Sequence, residues 1–417
     1  MNQHDALVVG AGPVGIWTAL LLAEAGVQPR IIDQDESTAG RSYACALHPH
    51  SLELLDRAGL ASAAIDQGHR IDTLAFYEGD VRQAEISLAS VSARFPFLLV
   101  LPQNALESLL EEALLRQAGV RIEWNHRLSE LALEEDSAAV TIDKLGGTAT
   151  GYVVPHWEIG VKSQEQARAA FVVGTDGHDS VVRHQLGIAF ENIGDPQSFV
   201  VVEFDSDWPT DDEVRIVLDR GTTNVLWPLP DGRFRWNFQL TNNVVPRDFP
   251  DKQRRAAGQS PLELDGRTRD YLRNLAARRA PWFKGSLEDI YWFAAVQFQR
   301  RLAQTFGKHC CWLAGDAAHQ TSPVGMQSMN VGLREARKLV AGARPLVRQE
   351  NSSDSLEAYN RDCRKVWQRL LGTDGALKAA MENSSWAMEN CGRILPCLPA
   401  SDAELDPLLQ QLGLRFA

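Results

Sequence analysis

The first 33 residues leave this chain little choice of fold. Ala6–Val9 is a short apolar run, Gly10-Ala11-Gly12-Pro13-Val14-Gly15 follows at once, and Ile16–Ala25 carries a helical pattern that stops at Gly26. A second apolar run, Pro29–Asp33, ends in an acidic residue 18 positions beyond Gly15. Strand, glycine turn, helix and strand in this order open a doubly wound parallel sheet. Gly10 permits the tight turn, Gly12 lets the backbone approach a pyrophosphate, and Gly15 lets helix and strand pack closely. The helix N-terminus favours phosphate charge, and Pro13 and Val14, in the turn before it, are cofactor-binding candidates with the glycines. Asp33 is placed to accept hydrogen bonds from ribose hydroxyls. A glycine-rich turn without a ligand is the plain alternative; the complete unit favours a dinucleotide, with FAD and NAD(P) both open.

A length of 417 residues suggests two or three domains. With 44% apolar and 23% charged residues the chain is ordinary globular material, which excludes a largely disordered, collagen-like or coiled-coil protein. Its net charge of −12 disfavours a nucleic-acid or anionic-membrane surface, and no nucleic-acid partner is expected. The six cysteines are too few and too irregular for a disulfide framework, so a reducing, cytoplasmic location is expected. No CxxC, HExxH or Cys/His cluster supports a metal site, and none is assigned. Ala6–Ala25 alone resembles a membrane span. Glycines and Pro13 interrupt it, and it lacks a basic leader and cleavage site, so no transmembrane segment is expected.

Further along, Pro49–Gly59 and Asn104–Ala118 read as amphipathic helices, and Ile122–Val173 as strand-rich, with Gly151–Ser163 resembling an extra hairpin. Residues 199–240 have strand patterning around the turn Pro228–Gly232. Most of the aromatic residues there belong in a sheet core. Trp227, Trp236 and Phe238 are the candidates for lining a pocket for a flat, apolar substrate. Residues 251–279 are charged and read as an exposed helical stretch, and helical patterns dominate from Ala336 onward.

Two further motifs carry chemistry. Val172–Arg183 is an apolar strand delivering Asp176-Gly177 into a turn, then a helix capped near Ser180. Trp312–His319 is a second strand delivering Gly315-Asp316, and Pro323-Val324-Gly325-Met326-Gln327-Ser328-Met329-Asn330 leads into another helix. An acidic residue at a strand end can bind a ribityl or ribose hydroxyl, and a glycine-rich helix N-terminus can hydrogen-bond an electron-rich ring edge. Each motif alone is an ordinary strand-turn-helix, and Asp316 alone could be a helix cap. Together, one long ligand could span all three.

In these motifs, and in Ala46–Leu55, Leu101-Pro102-Gln103 and Trp227–Arg233, the chain resembles the single-component FAD aromatic hydroxylases of the p-hydroxybenzoate hydroxylase and phenol hydroxylase type. The resemblance implies an α/β fold: a Rossmann-like FAD-binding domain (1–72, 100–184 and 296–345), an inserted antiparallel β-sheet substrate domain (73–99 and 185–295), and a C-terminal helical region (346–417). It implies that Gly10, Gly12 and Gly15 hold the FAD pyrophosphate, Asp33 the adenosine ribose, Gln103 the linking chain and Leu128 the adenine. Gly315-Asp316 would meet the ribityl-pyrophosphate region, and Pro323, Gly325, Met329 and Asn330 the isoalloxazine. Asp176 would belong to a motif serving both FAD and pyridine nucleotide. The activity implied is hydroxylation of an aromatic or polycyclic small molecule by a monomer or homodimer, with FAD as cofactor, NADPH or NADH as co-substrate, and O2 captured as a flavin C4a-hydroperoxide.

No motif nominates a catalytic base; His48 and Tyr43 are the residues near the expected flavin face. Tyr43 stands where the family commonly has Arg, with Arg41 as the replacement candidate, Met326 and Ser328 stand for glycines, and Glu335 for Asp. Same-fold alternatives are an epoxidase, oxidase, prenyl reductase or halogenase, the last weakened by the missing GWxWxIP motif. A non-catalytic binding protein on this scaffold is the alternative from another class, and the intact Asp176 and Asp316 motifs argue against it.

Overall fold

Strand Asn2–Val9 is buried from Ala6 onward because it lies between two parallel neighbours, Pro29–Ile32 and His156–Gly174. A strand covered on both faces needs a continuous apolar run rather than an alternating one, as this sequence has. The computed structural model describes residues 2–38, 44–150, 156–241, 253–254, 262–287, 289–347, 353–380 and 385–417. Cys311–Leu313 adds a further parallel strand beside His156–Gly174, so all three motif-bearing strands are neighbours in one sheet. Strands His126–Leu133 and Ala138–Thr150, and Gly307–Lys308 beside Cys311–Leu313, join it in antiparallel fashion. Ala138–Thr150 and His156–Gly174 form one long hairpin whose outer end is the segment expected as an extra hairpin; 151–155 lie outside the described residues. Helix Pro13–Glu24 packs against helices Gln103–Ala118 and Gln327–Val347.

Among the described residues the second sheet has nine strands. Ile290–Ala303, Phe190–Phe204, Phe234–Gln239, Thr222–Pro228 and Glu213–Asp219 follow one another antiparallel. Glu213–Asp219 then meets Thr73–Glu78 in parallel, an exception to the expected antiparallel sheet. Side chains alternate between its faces. On one face Phe204, Phe234, Trp236 and Phe238 form a separate core beneath helix Gly266–Arg279, through Leu272 and Leu275. On the other, Phe199, Val201, Val225, Trp227 and Trp292 join the main core around the parallel sheet. The helix expected within 251–279 begins only at Gly266, where the Asp265 carboxylate accepts the Thr268 N–H at 3.0 Å.

Strand Ile290–Ala303 runs through the boundary anticipated at 295/296, and His319–Gln320 pairs with its far end. One strand therefore joins the second sheet to the loop after Asp316. Helices Ser353–Leu370, Ser385–Ile394 and Leu405–Gln411 lie in the C-terminal region. Among the described residues no helix is long and apolar enough to cross a membrane, and no group of three or more His, Cys, Asp or Glu is placed to hold a metal ion.

Candidate cofactor and active site

The three motifs interlock at their glycines. Gly10 has φ +98°, and a Cβ there would stand 2.4 Å from the Thr175 carbonyl oxygen. A Cβ on Gly15 would fall 1.9 Å from the Gly10 carbonyl oxygen, whereas one on Gly12 would meet nothing within 4 Å. The first and third glycines are thus required by the protein's own packing, while Gly12 faces open space. Val14 fills the gap between Gly315 and Gly332, whose Cβ positions would come within 3.2 and 2.7 Å of its side chain.

The acidic residues are pre-oriented by backbone groups. Ala11 N–H donates to Asp33 Oδ2 at 2.6 Å and Asp35 N–H to Oδ1 at 2.8 Å. Asp176 accepts from Ser180 Oγ at 2.6 Å and Val182 N–H at 3.1 Å; burial nevertheless pushes its carboxyl above the usual range. Arg183 donates to the carbonyls of Ala317, at 2.9 Å, and His178, and lies over the Phe190 ring. The Asp176 motif is thereby tied to the Asp316 motif across 134 positions of sequence. Ser328 Oγ donates to Asp316 Oδ1, so the serine in a usual glycine position holds the acidic residue beside it.

Two cavities adjoin here. The first, about 450 Å³, is lined by Gly10, Gly12, Asp33, Leu128 and Asp176, among others. The second, about 290 Å³, is lined by Asp316, Pro323, Met326, Met329, Val296 and Phe298, among others. Gln103 and His178 line both. Helix Pro13–Glu24 starts at the first cavity with no side chain capping its N–H groups, which suits a phosphate. In the second, the buried Gln320 amide oxygen has no hydrogen-bond partner. An elongated group with a diphosphate centre, hydroxyls at its middle and a flat ring at one end fits this donor set, and FAD is such a group. His178, Gln320 and Arg301 line the cavities and stand outside the sequence-predicted set; His178 sits inside the Asp176 motif and Gln320 directly follows His319, and those positions are the sequence signal for them.

Other candidates lie elsewhere. His48 is buried and lines neither cavity: its Nε2–H donates to the Gly325 carbonyl at 2.8 Å, and its backbone N–H to Asn330 Oδ1 at 2.8 Å. It fastens Gly325 and Asn330 to the strand Ala46–Leu47, whose Ala46 carbonyl accepts from Asn330 Nδ2. Trp236 and Phe238 stack on each other at 4.7 Å in the core under helix Gly266–Arg279 and line neither cavity, while Trp227 is on the opposite face, which joins the main core. Arg41 and Tyr43 lie outside the described residues.

Burial pushes the His48 imidazole down to about 4, so it is neutral near pH 7. The folded state resists protonation that the unfolded chain accepts below its ordinary pKa of about 6.5. Stability from this residue is therefore complete above about pH 6.5 and is lost as pH falls through about 4, by about 3 kcal/mol. Urea unfolding of wild type and His48→Gln at a series of pH values should show the wild-type advantage shrinking by that amount between about pH 7 and 4. A pH-independent difference would contradict it.

Residues 3–374 match the family model described as "FAD binding domain", and the chain belongs to that family. It is 26% identical over 402 residues to para-nitrophenol 4-monooxygenase of Pseudomonas sp. strain WBC-3, covering 92% of this chain and 87% of that protein. Identity to pentachlorophenol 4-monooxygenase of Sphingobium chlorophenolicum is 27% over 373 residues, covering 88% of this chain and 62% of the relative. The crystal structure of p-nitrophenol 4-monooxygenase from Pseudomonas putida DLL-E4 shares the fold, with a TM-score of 0.74 at 22% identity over the whole of both chains.

Proposed function

We infer that the chain is an FAD-dependent monooxygenase that uses NAD(P)H and O2 to hydroxylate an aromatic or polycyclic small molecule. The observation that carries this reading is the meeting of the two cavities at Gln103 and His178, which gives a long ligand a polar, glycine-lined half and a more apolar half under the second sheet. The monooxygenase relatives, aligned over most of the chain, support the same activity. Bound FAD supplies the redox chemistry by which a nicotinamide hydride is taken up and one atom of O2 enters the ring as hydroxyl while the other leaves as water.

The chain's own residues bind, align and exclude water. Gly10, Gly12 and the helix N-terminus hold the diphosphate, Asp33 a ribose, and Asp316, steadied by Ser328, the hydroxylated chain between diphosphate and ring. The loop Pro323–Asn330, clamped by His48, would hold the ring, with Arg41 and Tyr43 as candidates for contacting it. Val296, Phe298, Met326 and Met329 give an apolar wall where water would divert the reaction towards peroxide. The C-terminal segment closes this loop from behind: a Cβ on Gly325 would stand 2.1 Å from the Pro396 carbonyl oxygen, and Gln327 Nε2 donates to the Leu395 and Leu398 carbonyls.

Purified protein should carry FAD and oxidise NADPH or NADH slowly alone. A fitting phenol or polycyclic phenol should accelerate that oxidation at least about tenfold, with product gaining one oxygen atom from O2 by mass spectrometry. FAD binding with hydrogen peroxide as the sole oxygen product across such a panel would favour an oxidase; absence of FAD would end the enzyme reading.

A further inference from the structure

We propose that Asn237 selects the substrate, and that it selects a neutral aromatic whose edge carries a carbonyl beside an N–H or O–H donor. The proposal rests on the hydroxylase reading and deepens it. Asn237 lies at the centre of the sheet face that joins the main core, paired with Val201 on one side and Val225 on the other. It is 1% exposed, and neither Oδ1 nor Nδ2 has a hydrogen-bond partner. Among the described residues no other side chain has both of its polar atoms buried and unpartnered. Its diagonal neighbour Trp227 adds a third such atom, the indole Nε1, on the same face.

A buried polar group left unpaired is destabilising, and a leucine would continue the apolar wall without that cost. The amide is complemented by a ligand that offers Oδ1 a donor and offers Nδ2 and Trp227 Nε1 an acceptor. The adjacent row of the face explains why that ligand is neutral. Arg235, 2% exposed, donates through Nε to Glu203 Oε1 at 3.0 Å and lies beneath the Trp292 ring at 4.9 Å. Its charge is already matched by Glu203, so this row adds no uncompensated cation for a carboxylate or phenolate.

Asn237 shares one face of the second sheet with the cavity-lining Val296. Val296 and Phe298, which line the 290 Å³ cavity, continue the face formed by Trp292 and Ala294. Asn237 is two strands across from Ala294, about 10 Å, and Ala294 is the neighbour of Val296 on that face. Asn237 does not itself line the cavity; a ligand meets it by extending from there along the sheet.

The test titrates the FAD-loaded full chain with three bicyclic probes and follows the flavin absorbance: the lactam isocarbostyril, α-naphthol with a donor alone, and the anion α-naphthoate. Wild type should bind the lactam at least about tenfold tighter than the naphthol, with the naphthoate weakest. Asn237→Leu should bring lactam and naphthol within about threefold of each other, with FAD content unchanged and the thermal midpoint equal or higher. Asn237→Asp, which keeps the shape and removes the NH2 donor, should weaken the lactam at least about tenfold and serves if the leucine variant misfolds. A wild type without lactam preference overturns the proposal. So does a leucine variant that keeps the preference while losing stability, which would mark the amide as the seat of a structural water. FAD bound with the wrong ranking defeats this proposal alone, whereas a protein that binds no FAD defeats the hydroxylase reading with it.

Discussion

Gly15→Ala should yield a protein that is both less stable and free of FAD, whereas Gly12→Ala should fold as wild type does and lose only the cofactor. The two glycines are three residues apart in one turn, and their surroundings differ completely. At Gly15 the added carbon would sit 1.9 Å from the Gly10 carbonyl oxygen and 2.7 Å from Thr175 Oγ1. The first of these is rigid backbone. Relief requires helix Pro13–Glu24 to move off the strand, and Thr175, which donates to the Val9 and Gly10 carbonyls, would move with it. Overpacking of this kind costs about 3 kcal/mol or more, a hundredfold or so in FAD affinity if the folded state carries the distortion. At Gly12 the new methyl meets no protein atom, so stability should change by less than about 1 kcal/mol. It would nevertheless occupy the space through which a diphosphate approaches the helix N-terminus. Denaturant midpoints and the FAD-to-protein absorbance ratio of the two variants separate the effects. A Gly12→Ala protein retaining full FAD would show that the first cavity does not hold the diphosphate.

What the sequence disclosed followed from how local each signal is. The turn at Gly10–Gly15, the Asp176 turn and the Asp316 loop are each written in consecutive residues, and strand neighbours with glycine turns have few other conformations. The same holds for Asp33, whose place at a strand end follows from a helix of ordinary length. Long-range facts had no such signal. Nothing around Arg183 announces that its guanidinium reaches the Ala317 carbonyl, and nothing near Pro396 announces a contact with Gly325. The aromatic residues of the second sheet illustrate the limit. Alternation alone puts Trp236 and Phe238 on one face and Arg235 and Asn237 on the other, but which face meets the cofactor domain depends on pairing between strands distant in sequence. Sequence pattern therefore points to the large aromatic residues and not to the buried polar ones beside them. The resemblance places His48 near the expected flavin face, while its bond to Gly325 emerges only in three dimensions.

Replacing Glu335 by glutamine should be among the most damaging single changes outside the glycine turns. Its carboxylate is 1% exposed and serves three donors from separate parts of the chain: Gly315 N–H at 3.0 Å, His319 Nε2–H at 2.8 Å and Trp367 Nε1–H at 2.7 Å. His319 is fully buried and stacks on Trp367 with ring centroids 3.8 Å apart. Helices Gln327–Val347 and Ser353–Leu370 and the Gly315-Asp316 turn are thus fastened at one point. An amide has one acceptor oxygen where the carboxylate has two, and its NH2 would face a donor. Removing one partner from such a buried network costs about 3–5 kcal/mol. FAD affinity should fall as well, because the turn that carries Asp316 loses its anchor. Aspartate, the residue usual at this position in the family, keeps the charge on a shorter arm, so Glu335→Asp should retain the Gly315 and His319 bonds, lose the one to Trp367, and cost about 1–2 kcal/mol. Urea midpoints for the two variants should rank wild type above Glu335→Asp above Glu335→Gln. If the glutamine variant unfolds within about 1 kcal/mol of wild type, the three hydrogen bonds do not form a common anchor, and Asp316 must owe its position to Ser328 instead.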